Sequence, residues 1–283
     1  MIREGGPSLS EASKWIQTFR GKCIIIKLGG ELLTSPAIIK RLTKQIAVLS
    51  RVGIQSVIVH GAGVQVDLAC KERGIEPKKV GGRRITDQHV LDILVETQLK
   101  LNSSFVDFLA AEGVPALGMN SMDPWPVHAH RRPPVQQADG SVVDFGHVGD
   151  VTGVHFEGDC QERIVVLPSL GHDKDNYLNI NADTLARSVA VACGAEKLVY
   201  MTGVSGVMRS MDEAGPISEM RISDLRKLID DGIAVGGMKA KLEEVEAALN
   251  YGVPQVHIIS GKEPFTLLLE LFTNEGCGTL ITA

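Results

Sequence analysis

Short apolar runs that close on glycine turns, and alternate with helical periodicities, constrain this chain more than any other feature of its sequence. Cys23–Leu28 runs into Gly29-Gly30, and Gln55–His60 into Gly61-Ala62-Gly63. Arg163–Leu170 reaches Gly171, Lys197–Met201 reaches a turn ending in Gly203-Val204-Ser205-Gly206, and Gln255–Ile259 reaches Ser260-Gly261. A short run with no polar alternation reads as a strand buried on both faces, so it needs a layer above it and a layer below. Between the runs, apolar residues recur at helical spacing, as in Ile38, Ile39, Leu42, Ile46 and Leu49. Strand and helix in alternation predict an α/β fold: a mostly parallel central sheet with helices on both faces, a three-layer sandwich.

The local punctuation places the helices. Ser35-Pro36 starts one that runs to Ser50, another spans Gln65 to Arg73, and Asp87 caps a long one ending at Ala111 before Gly113. Val114–Met119 reads as a further strand, and residues 123–155, with most of the prolines, as a hairpin excursion from the main sheet. Helices follow at 183–193, 223–231, from Gly236-Gly237 onward, and at 264–272, with a last strand at 279–282. Ser8 to Arg20 forms an amphipathic helix with Trp15, Ile16 and Phe19 on one face, capped by Ser8 or Ser10. The expected organisation is an N-terminal arm over residues 1–20, an N-terminal lobe over 21–170 and a C-terminal lobe over 171–283, the lobes sharing one sheet.

Composition excludes several classes. The formal net charge of -5 argues against a nucleic-acid binder, although Lys78, Lys79, Arg83 and Arg84 form a basic cluster that needs a partner. No apolar run reaches the length of a membrane span, and the first twenty residues lack the apolar centre of a signal peptide. The five cysteines, Cys23, Cys70, Cys160, Cys193 and Cys277, are scattered with no Cys-x-x-Cys, which fits a reducing cytosol and neither a disulfide framework nor a zinc site.

In a parallel sheet the glycine turns gather at one edge, where such folds bind ligands. Lys27 ends the first strand, and a lysine beside a glycine turn suits an anion such as a phosphate. Asp183 lies at a helix start and Lys241 just inside the helix opened by Gly236-Gly237. Each has a plainer reading: a solvated lysine, an acid favoured by the helix dipole, a lysine on an exposed face. Together they make a phosphoryl-transfer set in which two ammoniums neutralise the moving group and a carboxylate holds them. Neither the dinucleotide-binding glycine pattern nor a P-loop is present, so a bound phosphate would rest on another scaffold.

Six segments occur in order: Ile24–Gly30, Val59–Gly63, Arg84–Asp87, Gly146–Gly149, Asn179–Asp183 and Gly236–Lys241. The ordered set, spanning 19–281, resembles the amino acid kinase family, and within it the N-acetylglutamate kinases. The resemblance implies transfer of the ATP γ-phosphoryl group, with Mg²⁺, to the side-chain carboxylate of N-acetyl-L-glutamate in arginine biosynthesis. It implies that Lys27 and Lys241 stabilise the transition state and Asp183 orients both. It places the acyl amino acid on Gly61, Ala62, Gly63, Arg84 and Asn179, with Arg84 pairing with the α-carboxylate. It places the nucleotide on Gly29, Gly30, Gly203, Val204, Ser205, Gly206, Val207, Met208, Gly236 and Gly237, with no protein metal ligands assigned. The N-terminal helix and Leu269–Thr279 resemble those of the arginine-inhibited, hexameric members, and that resemblance implies a homodimer or hexamer with arginine as feedback inhibitor, expected in the cytoplasm. Three departures stand out: Ala62 where relatives carry glycine, Gly203 where they carry aspartate, and Asn120–Trp125 in place of their glycine-containing turn. A methyl group at position 62 is expected to crowd the backbone donors of that turn.

Overall fold

The computed structural model describes residues 8–119, 124–137, 140–156, 163–174, 176–209 and 215–283. Cys160 and Asn120 to Asp123 lie outside the described residues. The first apolar run is the strand Cys23–Leu28, and it sits centrally in an eight-stranded sheet. Across that sheet the order is Glu219–Arg221, Thr279–Thr282, Gln255–Ser260, Lys197–Thr202, Cys23–Leu28, Gln55–His60, Ile164–Pro168 and Ala116–Gly118. All neighbours pair in parallel except Gln255–Ser260 with Thr279–Thr282, so the last strand and its neighbour Glu219–Arg221 run against the rest.

Alternation of side chains across the strands explains the unbroken apolar runs. Ile24, Ile26 and Leu28 enter one core with Ile58, Val166, Val199 and Met201. Ile25 enters the other with Val57, Val59, Val165, Leu198 and Tyr200. The first core is covered by the helices Pro36–Arg51 and Thr266–Phe272 and by the second half of Gln88–Ala111, the other by Ala182–Ala192 and Gly236–Asn250. Lys27 has the parity of Ile25, so it points toward the layer that carries Asp183 and Lys241.

Two features differ from the sequence reading. Gly171 is not a turn at a strand end. It lies within the strand Leu170–Asp173, which pairs with Asn176–Asn179 and Val127–Arg131 in a second sheet completed by Gly149–Val154. Glycine is needed there for close packing: a Cβ would lie 2.7 Å from Ala129 Cβ and 3.0 Å from Ile180 Cδ1. The helix expected at 65–73 starts earlier, at Gly63, so Ala62 becomes its N-cap and the glycine turn forms the helix's own first turn.

The N-terminal helix, Leu9–Phe19, is capped by Ser8, whose side chain accepts from Glu11 N at 3.1 Å. It packs against Thr266–Phe272. Phe19 is buried and stacks on Trp15 at 5.5 Å, and the Trp15 indole N–H donates to Asn274 Oδ1 at 3.2 Å.

Candidate active site

At the C-terminal edge of the parallel strands, neighbouring turns are tied to one another by the backbone. Gly29 N donates to Met201 O (3.1 Å), Gly61 N to Leu28 O (3.1 Å) and Gly261 N to Thr202 O (2.8 Å). Gly30 and the Gly61–Gly63 turn meet closely enough that a Cβ on Gly30 would lie 3.0 Å from Gly63 N. The N–H groups of Gly29, Gly61 and Gly261 are taken up by these ties, and the lack of side chains at Gly30 and Gly63 is what lets a ligand approach the backbone closely.

Asp183 stands over this edge in the first turn of the helix Ala182–Ala192. Asn181 caps that helix, its Oδ1 accepting from Asp183 N (2.9 Å) and Thr184 N (3.0 Å). Lys27 Nζ meets Asp183 Oδ1 at 2.7 Å, and Lys241 Nζ meets Asp183 Oδ2 at 2.7 Å. Both lysines are 8% exposed. Burial opposes a charged Asp183, but the two ammoniums outweigh it and hold the carboxyl down at about 2. Burial and the charge of Lys27 push the Lys241 ammonium below its usual range, with Asp183 resisting. Tyr200 supports the arrangement from beneath: its ring lies 4.8 Å from Lys241 Nζ, and its hydroxyl donates to Asp183 O at 3.2 Å. Three long-range elements thus bring two cations onto one anion that carries half the opposing charge. The surplus positive charge suits an anionic group in transfer.

Beside this set opens a cavity of about 290 Å³, lined in part by Lys27, Gly30, Gly61, Ala62, Gly63, Arg84 and Asn179. Arg84 is buried, donating from Nη1 to Asp67 Oδ1 (2.5 Å) and from Nη2 to Gly63 O (3.0 Å). Asn179 Nδ2 donates to Thr86 Oγ1 at 3.0 Å. Ala62 adopts φ -140°, a conformation open to any residue, and its methyl joins the apolar cluster of Val66, Cys70, Val90, Ile93, Leu94 and Leu170. The methyl thus packs among apolar neighbours, while Ala62 also lines the cavity.

The remaining sequence candidates do not line this cavity, although Gly203 is bonded to Glu31, which does. Gly203 N donates to Glu31 Oε1 at 3.2 Å, and a Cβ on Gly203 would lie 3.2 Å from Lys262 Nζ. Val204 and Ser205 are exposed and Met208 is half-buried. The Val207 side chain enters the core, while its N–H donates to Thr279 Oγ1 and its carbonyl accepts from Ile217 N. Gly206 packs against Thr279 and Pro216. Gly236 and Gly237 open the helix Gly236–Asn250 with free space around them, Gly236 at φ +53°. Sequence reasoning missed Asp67, Tyr200, Glu31 and Arg132, the last two of which also line the cavity. The unexplained basic cluster was the one pointer to Asp67. Lys79 and Arg84 face each other across a two-residue ladder and both reach that carboxylate.

A profile described as the amino acid kinase family matches residues 22–260. The chain belongs to the amino acid kinase family. Acetylglutamate kinase of Myxococcus xanthus is 37% identical over 287 residues, which is 97% of this chain and 93% of that protein. Acetylglutamate kinase of Methanothrix thermoacetophila is 35% identical over 97% of both chains. Among solved structures, the N-acetylglutamate synthase of Neisseria gonorrhoeae complexed with coenzyme A and N-acetyl-glutamate superposes with a TM-score of 0.83 at 28% identity. The match covers 97% of this chain but 62% of the synthase, so the synthase extends well beyond it. Carbamate kinase of Giardia lamblia shares the fold, with a TM-score of 0.66 at 16% identity over 93% of this chain.

Proposed function

We infer that this chain phosphorylates the side-chain carboxylate of N-acetyl-L-glutamate with ATP, giving N-acetyl-L-glutamyl 5-phosphate in arginine biosynthesis. The observation that carries the reading is Asp183 bridging Lys27 and Lys241 beside a cavity lined by Arg84. The similarity to acetylglutamate kinases along almost the whole chain supports it. The substrate carboxylate is itself the nucleophile, so no side chain needs to attack. One of its oxygens bonds to the γ-phosphorus as the bond to the ADP oxygen breaks, and no proton has to move. Lys27 and Lys241 offset the charge spread over the phosphoryl oxygens, and Asp183 keeps both ammoniums in place. Arg84 and Asn179 hold the acyl amino acid in the cavity. The turns at Gly29-Gly30, Gly203–Met208 and Gly236-Gly237 hold the nucleotide; residues 21–170 serve mainly the acid and 171–283 mainly the nucleotide, with Asn179 and Gly29-Gly30 crossing that division.

Magnesium is proposed to arrive on the polyphosphate, whose charge it screens. Asp183 is already committed to two lysines, and the described residues contain no cluster of three His, Cys, Asp or Glu suited to a metal ion. No described helix is long and apolar enough to cross a membrane, and a cytoplasmic location is proposed. Arginine is proposed as a feedback inhibitor, with the helix Leu9–Phe19 joining dimers into a hexamer. A solved N-acetylglutamate synthase of Neisseria gonorrhoeae complexed with coenzyme A and L-arginine, 26% identical to this chain, supports the first part. Trp15→Ser removes the stack on Phe19 and the bond to Asn274, and is expected to yield smaller oligomers with weakened arginine inhibition. Light scattering and inhibition curves check this, and a hexameric variant with unchanged arginine sensitivity would refute it.

ADP release measured with MgATP against a panel of acids tests the substrate. N-acetyl-L-glutamate is expected to be preferred over N-acetyl-aminoadipate and N-succinylglutamate. Preference for another acid would move the substrate. Turnover with none would favour a non-catalytic, arginine-binding regulatory domain, the reading that Ala62 and Gly203 otherwise suggest.

A further inference from the structure

The Arg84 guanidinium makes two hydrogen bonds among the described residues, and neither is bidentate. Nη1 donates to Asp67 Oδ1 (2.5 Å) and Nη2 to Gly63 O (3.0 Å). A guanidinium carries five N–H donors in a rigid plane, so three remain for a ligand. A carboxylate next to an arginine usually takes two parallel N–H groups, which would use up much of that fork. Asp67 does not, because its other oxygen, Oδ2, accepts from Lys79 Nζ at 2.6 Å. The two cations share one carboxylate, and together they hold Asp67 ionised below its ordinary range against the opposing effect of burial. Asp67 belongs to the helix Gly63–Glu72, the same helix whose first residue supplies the carbonyl for Arg84. Arg84 and Lys79 come from the facing strands of a two-residue ladder. The guanidinium is thereby held from two points on one rigid helix, and Arg84 and Lys79 both line the cavity.

We propose that Asp67 is the positioning residue of Arg84 and that Lys79 keeps its grip to a single oxygen, so that the rest of the fork is presented to the α-carboxylate of the acyl amino acid. This rests on the reading that Arg84 receives that carboxylate. Asp67 touches no reacting atom; it acts by aiming the arginine, and so governs recognition of one end of the substrate only.

The test compares two acids that share the phosphoryl acceptor. N-acetyl-L-glutamate has the α-carboxylate; N-acetyl-4-aminobutyrate lacks it and keeps the carboxylate to be phosphorylated. In Asp67→Ala, KM for N-acetyl-L-glutamate is expected to rise on the order of 10- to 100-fold, the range for lost hydrogen bonds to charged groups. KM for ATP and the kinetics with N-acetyl-4-aminobutyrate are expected to stay at wild-type values. Asp67→Asn, which retains an acceptor for Arg84, is expected to show a smaller rise. It stands in if the alanine variant fails to fold. Lys79→Met frees Oδ2 to take a second N–H of Arg84 and is expected to raise the same KM several-fold. Equal losses with both acids, or an unchanged KM in Asp67→Ala and Asp67→Asn, would overturn the proposal. A wild-type enzyme that uses both acids equally well removes Arg84 from α-carboxylate recognition, and this proposal with it, while leaving phosphoryl transfer untouched.

Discussion

Lys241→Met is expected to lower kcat by on the order of 100-fold or more, the loss that follows when a fixed charge proposed to stabilise the transition state is removed. Methionine keeps the apolar stem of a side chain that is 8% exposed and packed over Tyr200, so the site stays filled. Stability is expected to depend little on this charge, because Asp183 retains Lys27 at 2.7 Å and the repulsion between the two ammoniums disappears. The expected signature is therefore a collapse of turnover with a melting temperature close to wild type. A steady-state assay and a thermal melt on the same preparation read both, and turnover within a few-fold of wild type would remove Lys241 from the chemistry.

Asp183→Asn has the second large effect, and it strikes stability as well as rate. The carboxylate is the anion between two buried ammoniums, and an amide leaves them facing each other uncompensated. Breaking a buried pair by removing one partner costs roughly 3–5 kcal/mol. At about 2–4 °C per kcal/mol for large domains, the melting temperature should fall by roughly 10 °C. Turnover should drop with it, because both lysines lose the group that aims them. The pH dependence has a defined sign. Asp183 titrates at about 2 when folded, against an ordinary value of 3.8. A depressed carboxyl contributes stability that is complete above its unfolded value and is lost as pH falls through its folded one. That contribution, about 2 kcal/mol in order of magnitude, should fade between about pH 4 and pH 2 in the wild type. It should be absent from Asp183→Asn, which acid-melt curves can read.

The strands were legible because burial on both faces leaves an unbroken apolar run, as Ile24 to Ile26 illustrate by entering two different cores. The helix starts at Pro36 and Gln88 were legible from local chemistry, proline in a first turn and Asp87 accepting from Val90 N at 2.9 Å. Long-range pairing was not. Nothing local in Leu170–Asp173 says that Gly171 is there to let Ala129 and Ile180 approach. Nothing local in Thr279–Thr282 says that it pairs antiparallel with Gln255–Ser260. The same divide runs through the candidate site. Lys27, Asp183 and Lys241 each carried a recognisable local setting, a strand end or a helix start. Their convergence depends on sheet order and on which face Lys27 takes. Asp67 sits mid-helix with no motif around it, and only the fold brings Lys79 and Arg84 to it.

Whether Lys27 and Lys241, held by Asp183, carry a phosphoryl group onto a carboxylate is decided by trapping the product. An acyl phosphate reacts with hydroxylamine to give a hydroxamate. With MgATP and N-acetyl-L-glutamate, the wild-type protein should form the glutamyl hydroxamate in step with ADP, and Lys241→Met should form almost none. ADP release without hydroxamate, or hydroxamate formed at the wild-type rate by Lys241→Met, would contradict that role.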